Sequence, residues 1–263
     1  MAQPGNARTS RFQFTTATIC VGPQDQQKLL TPSKHSVGLT KNVKVDANAT
    51  KIDLTQGITN DIVASVTNNL PITASAEVYE YTARNLAYGI GLEGDGLVTM
   101  SAPGILTAAV ASGGTSASIA AADATALGLN VGDWGFIQEA LDDQVHVFKV
   151  SGVSSGTITF TGYPLPTGVS FSTNARLGKF NKIDADPVKA NVNQCVRIIG
   201  VSLKDKTPIV LHFPKCRITR GFSMAFSSEN FGNMPFEFTP LTPLPDDPGY
   251  DPELSKRMSV FTL

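Results

Sequence analysis

Apolar and polar residues alternate with a period of two over much of this chain, the signature of half-buried β-strands. The clearest case is Pro214 to Pro240. Cys216, Ile218, Phe222, Met224 and Phe226 share one parity, and Arg217, Thr219, Gly221, Ser223 and Ala225 fill the other, with Arg220 the exception on the apolar side. Ser227 to Asn233 is polar and contains glycine, which predicts a turn. Met234, Phe236 and Phe238 then resume the alternation. The pattern predicts a long hairpin with one aromatic face. Each large side chain contributes roughly 1.5–3 kcal/mol on full burial, and a lone hairpin is marginal in water, so this one must lie on a partner layer.

Upstream, Arg11 to Val21 alternates loosely and ends at Gly22-Pro23, predicting a first strand. Gln24 to Ser36 has room for a short helical turn. Val43, Val45 and Ala47 alternate with Lys44, Asp46 and Asn48, and Ile52 and Leu54 repeat the pattern beyond Ala49-Thr50. This predicts a second hairpin with one charged face that carries Lys41, Lys44, Asp46, Lys51 and Asp53. Such a face is either simply solvated or an arm that reaches a neighbour. Ile62, Val63 and Val66 predict another strand before Asn68-Asn69-Leu70-Pro71. One helix is expected, capped by Ser75 with Glu77 and Glu80 near its first turn. Its broad apolar stripe is Val78, Tyr79, Thr82, Ala83, Leu86, Ala87 and Ile90, and Gly89 and Gly91 end it. Its stripe needs an apolar sheet to cover.

From about Gly94 the composition shifts. Leu97 to Ala126 is poor in charge and rich in Ala, Ser, Thr and Gly. Val131 to Pro166 holds three or four short strands marked by Phe136, Val145, Val147, Val150, Val153, Ile158 and Phe160, the pattern of a small β-barrel or meander. After Asp184-Ala-Asp186-Pro187 the core resumes. Cys195, Ile198, Ile199, Val201 and Leu203 predict a strand, and Ile209 to Phe213 its partner. Pro243 to Leu263 is too short for a core and is expected to lie on the body or on a neighbour.

Among 263 residues, 21 are Lys or Arg and 22 are Asp or Glu, for a net charge of −1. That balance lacks the basic excess that phosphate gripping requires. Charged residues at 16%, with 23 Gly and 16 Pro, fit a loop-rich β protein. The three cysteines, Cys20, Cys195 and Cys216, have no CxxC spacing and fall inside predicted strands, so buried free thiols are expected. These suit a reducing cytoplasm. The N-terminus has no apolar run of the signal-peptide kind, and no apolar stretch is long enough for a membrane helix.

Motifs for chemistry are few. Gly89-Ile-Gly91-Leu-Glu-Gly94 spells GxGxxG, but it closes a predicted helix instead of opening one after a strand, so no dinucleotide cofactor is expected. His35, His146 and His212 lack partners at metal-ligand spacing. Asp142-Asp143, Asp184 with Asp186, and Asp246-Asp247 sit beside turn formers. The expectation is a protein without catalytic, cofactor or metal sites.

Three stretches carry a family resemblance: KCRITRGFSMAFSSENFGNMPFEFTPL near the C-terminus, ITASAEVYEYTARNLAYGIGL at Ile72 to Leu92, and FTTATICVGP at Phe14 to Pro23. In this order, and spread over about two thirds of the chain, they resemble the tail tube (major tail) proteins of tailed bacteriophages. The resemblance implies a mainly β (α+β) fold, two packed β-sheets forming a sandwich or barrel with one flanking helix. Residues 1–94 and 183–263 form this core, and residues 95–182 are an inserted small β module on the tube exterior. It implies self-assembly into stacked, hexameric rings around a DNA-conducting lumen, with the long hairpin (Lys41, Lys44, Asp46, Lys51, Asp53) as an inter-ring arm. Ile218, Phe222, Met224, Phe226, Phe236 and Phe238 are then the core hairpin. The implied partners are further copies of the chain, the tape measure, tail tip or baseplate and terminator proteins, and phage DNA in transit without specific binding. The setting is the virion tail, assembled in the host cytoplasm. The competing expectation is a β-rich capsid decoration or receptor-binding protein whose 95–182 module recognises carbohydrate through Trp134 and Tyr163.

Overall fold

The computed structural model describes residues 15–56, 61–97, 100–141, 143–186, 190, 192–202, 206–221, 223 and 232–262. In chain order its first elements are β1 (Thr15–Pro23), α1 (Pro32–His35), β2 (Thr40–Ala47), β3 (Thr50–Gln56), β4 (Asp61–Asn69), β5 (Ile72–Val78) and α2 (Ala83–Ile90). Next come β6 (Gly104–Ile105), β7 (Ser116–Ser118), α3 (Ala121–Leu127), β8 (Trp134–Gln138), β9 (Val145–Lys149), β10 (Gly152–Ser154), β11 (Thr157–Thr159) and β12 (Arg176–Phe180). The last are β13 (Gln194–Ser202), β14 (Pro208–Arg220), β15 (Met234–Pro240) and β16 (Ser259–Phe261). The chain is mainly β, with several antiparallel sheets and few helices. It divides into two compact units, Met1–Gly96 with Ala185–Leu263 and Leu97–Asp184.

The first unit is built on one antiparallel sheet in the order β1-β13-β14-β15-β5-β2, with β16 also paired to β14. All six strands of that path supply side chains to one apolar cluster, among them Ile19, Val196, Phe213, Phe236, Phe238, Ala74 and, partly buried, Val45. A sheet whose two end strands share one core must curl. The ends meet where Val37 N–H donates to Ile19 O at 2.9 Å and Thr40 Oγ1 donates to Ala17 O at 2.9 Å. The opposite face holds Cys20, Cys195, Leu30 and Ile199. The segment after β1 covers it, with Arg197 donating to Gln27 O and Leu30 O at 2.8 and 2.9 Å. The C-terminal segment is tied on through Lys215 and Asp247 at 2.8 Å and through Gln27 and Ser255 at 3.2 Å.

Two sequence expectations are corrected here. The helix begins seven residues later than the Ser75 cap would place it. Ile72, Ala74, Ala76 and Val78 alternate into the core, so this stretch is strand β5. Thr82 is the cap, accepting from Asn85 N–H at 3.1 Å, and Gly91 with φ 83° ends α2. The GxGxxG stretch therefore does close a helix. Second, β2 and β3 do not pair with each other. β2 pairs with β5 and β3 pairs with β4, so residues 40–56 run against 61–78 as one long ribbon rooted in the sheet. Downstream, the predicted Ile209–Phe213 strand and the first half of the core hairpin are one continuous strand, β14. It pairs with β15 through Cys216, Arg217, Ile218 and Arg220.

The second unit has two small sheets, β10-β11-β7 and β6-β12-β8-β9. They enclose their own core, which includes Leu106, Ile137, Phe148, Ile158, Phe160, Phe171 and Leu177. Helix α3 lies in the alanine-rich stretch, where composition predicted no element.

Candidate self-assembly surfaces

Two features of the first unit are unlike the interior of a finished monomer. The first is the outer half of the ribbon. Every side chain of β3 and β4 is exposed. Five are large aliphatics, Ile52, Leu54, Ile62, Val63 and Val66, each 59–67% exposed. The pairing Ile52↔Val66 and Leu54↔Ala64 puts these four on one face. Lys51↔Thr67 and Asp53↔Ser65 form the other, where Ser65 Oγ donates to Asp53 Oδ1 at 2.5 Å. One apolar and one polar face is the pattern of a strand pair that covers a core, yet among the described residues nothing covers the apolar face. A two-stranded ribbon wet on both sides is marginal. The ribbon stays in line with its root because Asn48 N–H donates to Pro71 O at 3.2 Å.

The second feature is a cleft of about 770 Å³ at the seam between β1 and β2, open to solvent. Val43, Val45, Ile198, Ile209 and Leu211 line it, and Leu39 stands at its mouth, 56% exposed. Below their first contacts the two end strands part, so the outer edge of β2 has no strand partner among the described residues. Unpaired strand edges are templates for another chain.

The five charged residues predicted for the arm are divided between these features. Lys41, Lys44 and Asp46 lie on β2 in the main sheet, and only Lys51 and Asp53 lie on the outer ribbon. Lys44 Nζ meets Asp46 Oδ2 at 2.7 Å, and Lys41 Nζ stands 4.9 Å over the Tyr79 ring. At the bulge in β2, Asn42 takes φ 52° and donates to Glu77 at 2.9 Å, which with the Tyr79 hydroxyl holds the Glu77 carboxyl below its usual range. Sequence reasoning missed the apolar ribbon face because exposed and buried aliphatic strands look alike in a pattern. Of the core hairpin, Phe236 and Phe238 are buried, Ile218 packs against the same cluster, and Phe238 meets Phe213 edge-on at 5.3 Å. Phe222, Met224 and Phe226 lie outside the described residues.

Among the described residues, chemistry-bearing side chains are not gathered into a site. Cys20, Cys195 and Cys216 are buried free thiols, and burial raises the first to about 11, the second to about 12 and holds the third well above the usual thiol range. His212 is buried on β14, and neither ring nitrogen has a hydrogen-bond partner among the described residues. Burial, then the nearby Arg197, lowers its pKa to about 4. No group of three or more His, Cys, Asp or Glu residues is placed to hold a metal among the described residues. In the second unit, Trp134 meets the edge of Tyr163 at 5.4 Å and carries Lys182 Nζ 5.5 Å from its ring centre. No known family model matches the chain, and no curated protein matches it either.

Proposed function

We propose that this chain is a structural subunit of a phage tail tube, one that associates with copies of itself into stacked rings around a DNA-conducting lumen. The observation that carries this reading is the rooted ribbon with an uncovered apolar face. Five aliphatic side chains held in water are a standing cost to a monomer, and an assembled neighbour removes it. The open seam beside β2 adds a second surface that lacks its cover. The sequence resemblance supplies the kind of assembly. The role is structural, and the residues that matter form surfaces rather than a catalytic centre.

The near-neutral charge supports a conduit, since each firm Lys or Arg contact to phosphate would slow DNA in transit. The rings are hexameric, the tape measure, terminator and tail tip proteins are the neighbours, and the second unit, 97–184, points outward where an insertion has room. Negative-stain electron microscopy across a concentration series, beside light scattering, tests this. Hollow rings or tubes are expected. A compact closed trimer that never extends would overturn the reading in favour of a decoration or receptor-binding protein.

A further inference from the structure

We propose that the outward face of the β6-β12-β8-β9 sheet binds an acidic polysaccharide, a chain of sugar rings of which some carry carboxylates. This goes beyond the tube reading and does not depend on it, because the face lies wholly within the 97–184 unit. Residues paired across antiparallel strands share a face, and the buried pairs Leu177↔Ile137 and Gly135↔Phe148 mark the inner one. The outward face then reads in rows. Arg176 stands beside Gln138, Gly178 beside Phe136, and Phe180 beside Trp134 and Lys149. The rings are laid flat and fixed. A Cβ on Gly178 would lie 2.5 Å from the Phe136 ring, so that ring covers the backbone of β12. Phe180 stacks on it at 4.3 Å and 25° and is still 41% exposed. Lys182, paired with Asp184 at 2.9 Å, reaches over Trp134 at the rim.

Charge selects the ligand. Residues 97–184 hold four Lys or Arg and six Asp or Glu, a net charge of −2. Three of the four cations, Lys149, Arg176 and Lys182, nevertheless stand on this face or at its rim, and no acid faces outward from its four strands. The fourth cation, Lys179, is taken up by Asp133, and Glu139 is taken up by Ser172. Arg176 and Lys149 form no ion pair among the described residues. Flat rings beside unpaired cations suit a ligand with an apolar face and anions at its edge. A pyranose ring has that form, with C–H bonds on its face and a carboxylate at its rim. Arg176 and Lys149 lie two strands and four residues apart, roughly 16 Å, so the anions are sparse along the ligand. Nucleic acid carries a phosphate on every residue, a density that a unit of net negative charge repels. Docking this face on the same face of another copy would bring its cations together without partners.

Trp134 is the single tryptophan of the chain, so its fluorescence reports on this face alone. The full chain is titrated with alginate, polygalacturonate and hyaluronan, beside neutral dextran and single-stranded oligothymidylate. A saturable change in Trp134 emission is expected with at least one of the acidic polysaccharides and none with dextran. Phe180→Ala should weaken that binding at least fivefold. Arg176→Gln, a change at an exposed side chain that leaves the core intact, should do the same. Lys51→Gln makes an equal change of charge on the first unit and should leave binding within twofold. No response to any of the three acidic polysaccharides would overturn the proposal. So would an equal response to oligothymidylate, which would mark a general polyanion surface, and so would an equal loss in Lys51→Gln. An emission shift on concentrating the protein alone, with a dimer by light scattering that Phe180→Ala abolishes, would assign the face to a contact between copies instead.

Discussion

Replacing Gly89 with alanine tests how α2 is held on the sheet. By helix propensity alone the change is favourable, since alanine is about 1 kcal/mol better than glycine inside a helix. Here it is opposed by a backbone collision. A Cβ on Gly89 would lie 2.2 Å from the carbonyl oxygen of Gly221 and 2.7 Å from its carbon, at the end of β14. Backbone cannot rotate aside as a side chain can. The helix must lift instead, and it is pinned by buried Tyr88 and by Asn85, which donates to Val37 O at 2.8 Å. Overpacking of this kind costs about 1–3 kcal/mol and occasionally more. After the propensity gain, Gly89→Ala is expected to destabilise by up to about 2 kcal/mol, which at about 2–4 °C per kcal/mol lowers the melting temperature of the first unit by up to several degrees. Gly96→Ala is the control. It has no heavy atom within 4 Å of its added Cβ and no positive φ, so it should be neutral or slightly stabilising. Differential scanning calorimetry of both variants reads the difference. A Gly89→Ala protein as stable as the Gly96→Ala protein would refute the close-approach argument.

His212 gives a pH dependence with a definite sign. Its folded pKa of about 4 lies below the ordinary 6.5, so stability is fully present above pH 6.5 and is lost as pH falls from there through 4. The loss is on the order of 3 kcal/mol. His35 is shifted in the same direction and adds to the same window. Urea denaturation of wild type and His212→Leu at pH 7 and pH 5 should show a smaller pH effect in the variant, and equal slopes would count against the assignment. Ellman's reagent should find no reactive thiol in the native protein and three after denaturation, since Cys20, Cys195 and Cys216 are all buried; prompt native labelling would contradict that burial. Residues 97–184 expressed alone should unfold cooperatively on heating, because their core is their own. A non-cooperative melt would mean that the core depends on the rest of the chain.

The sequence was readable wherever large apolar residues alternate with polar ones. β15 is the clear case, with Met234, Phe236 and Phe238 buried as their parity demands. β5 was hidden because two of its four inward positions are Ala74 and Ala76, too small to register as a period, while Val78, Thr82 and Leu86 imitate a helical stripe across the boundary. The ribbon pairing was hidden for another reason. Alternation states which face a residue takes but not which strand lies beside it, and β3 pairs with β4, not with β2 across Ala49-Thr50. The exposure of Ile52 and Leu54 and the cleft at the β1–β2 seam depend on strands far apart in sequence, and no local window contains them.

The strand order also dictates a schedule. β1 pairs with β13, so Thr15 waits for Ser202 and Pro23 for Gln194. A chain emerging from the ribosome can close the ribbon and then the whole 97–184 unit while β1 still lacks its neighbour. β13, β14 and β15, which occupy the middle of the sheet, are made after all of these, with only β16 later. The seam that borders β1 and β2 therefore does not exist until synthesis is nearly complete.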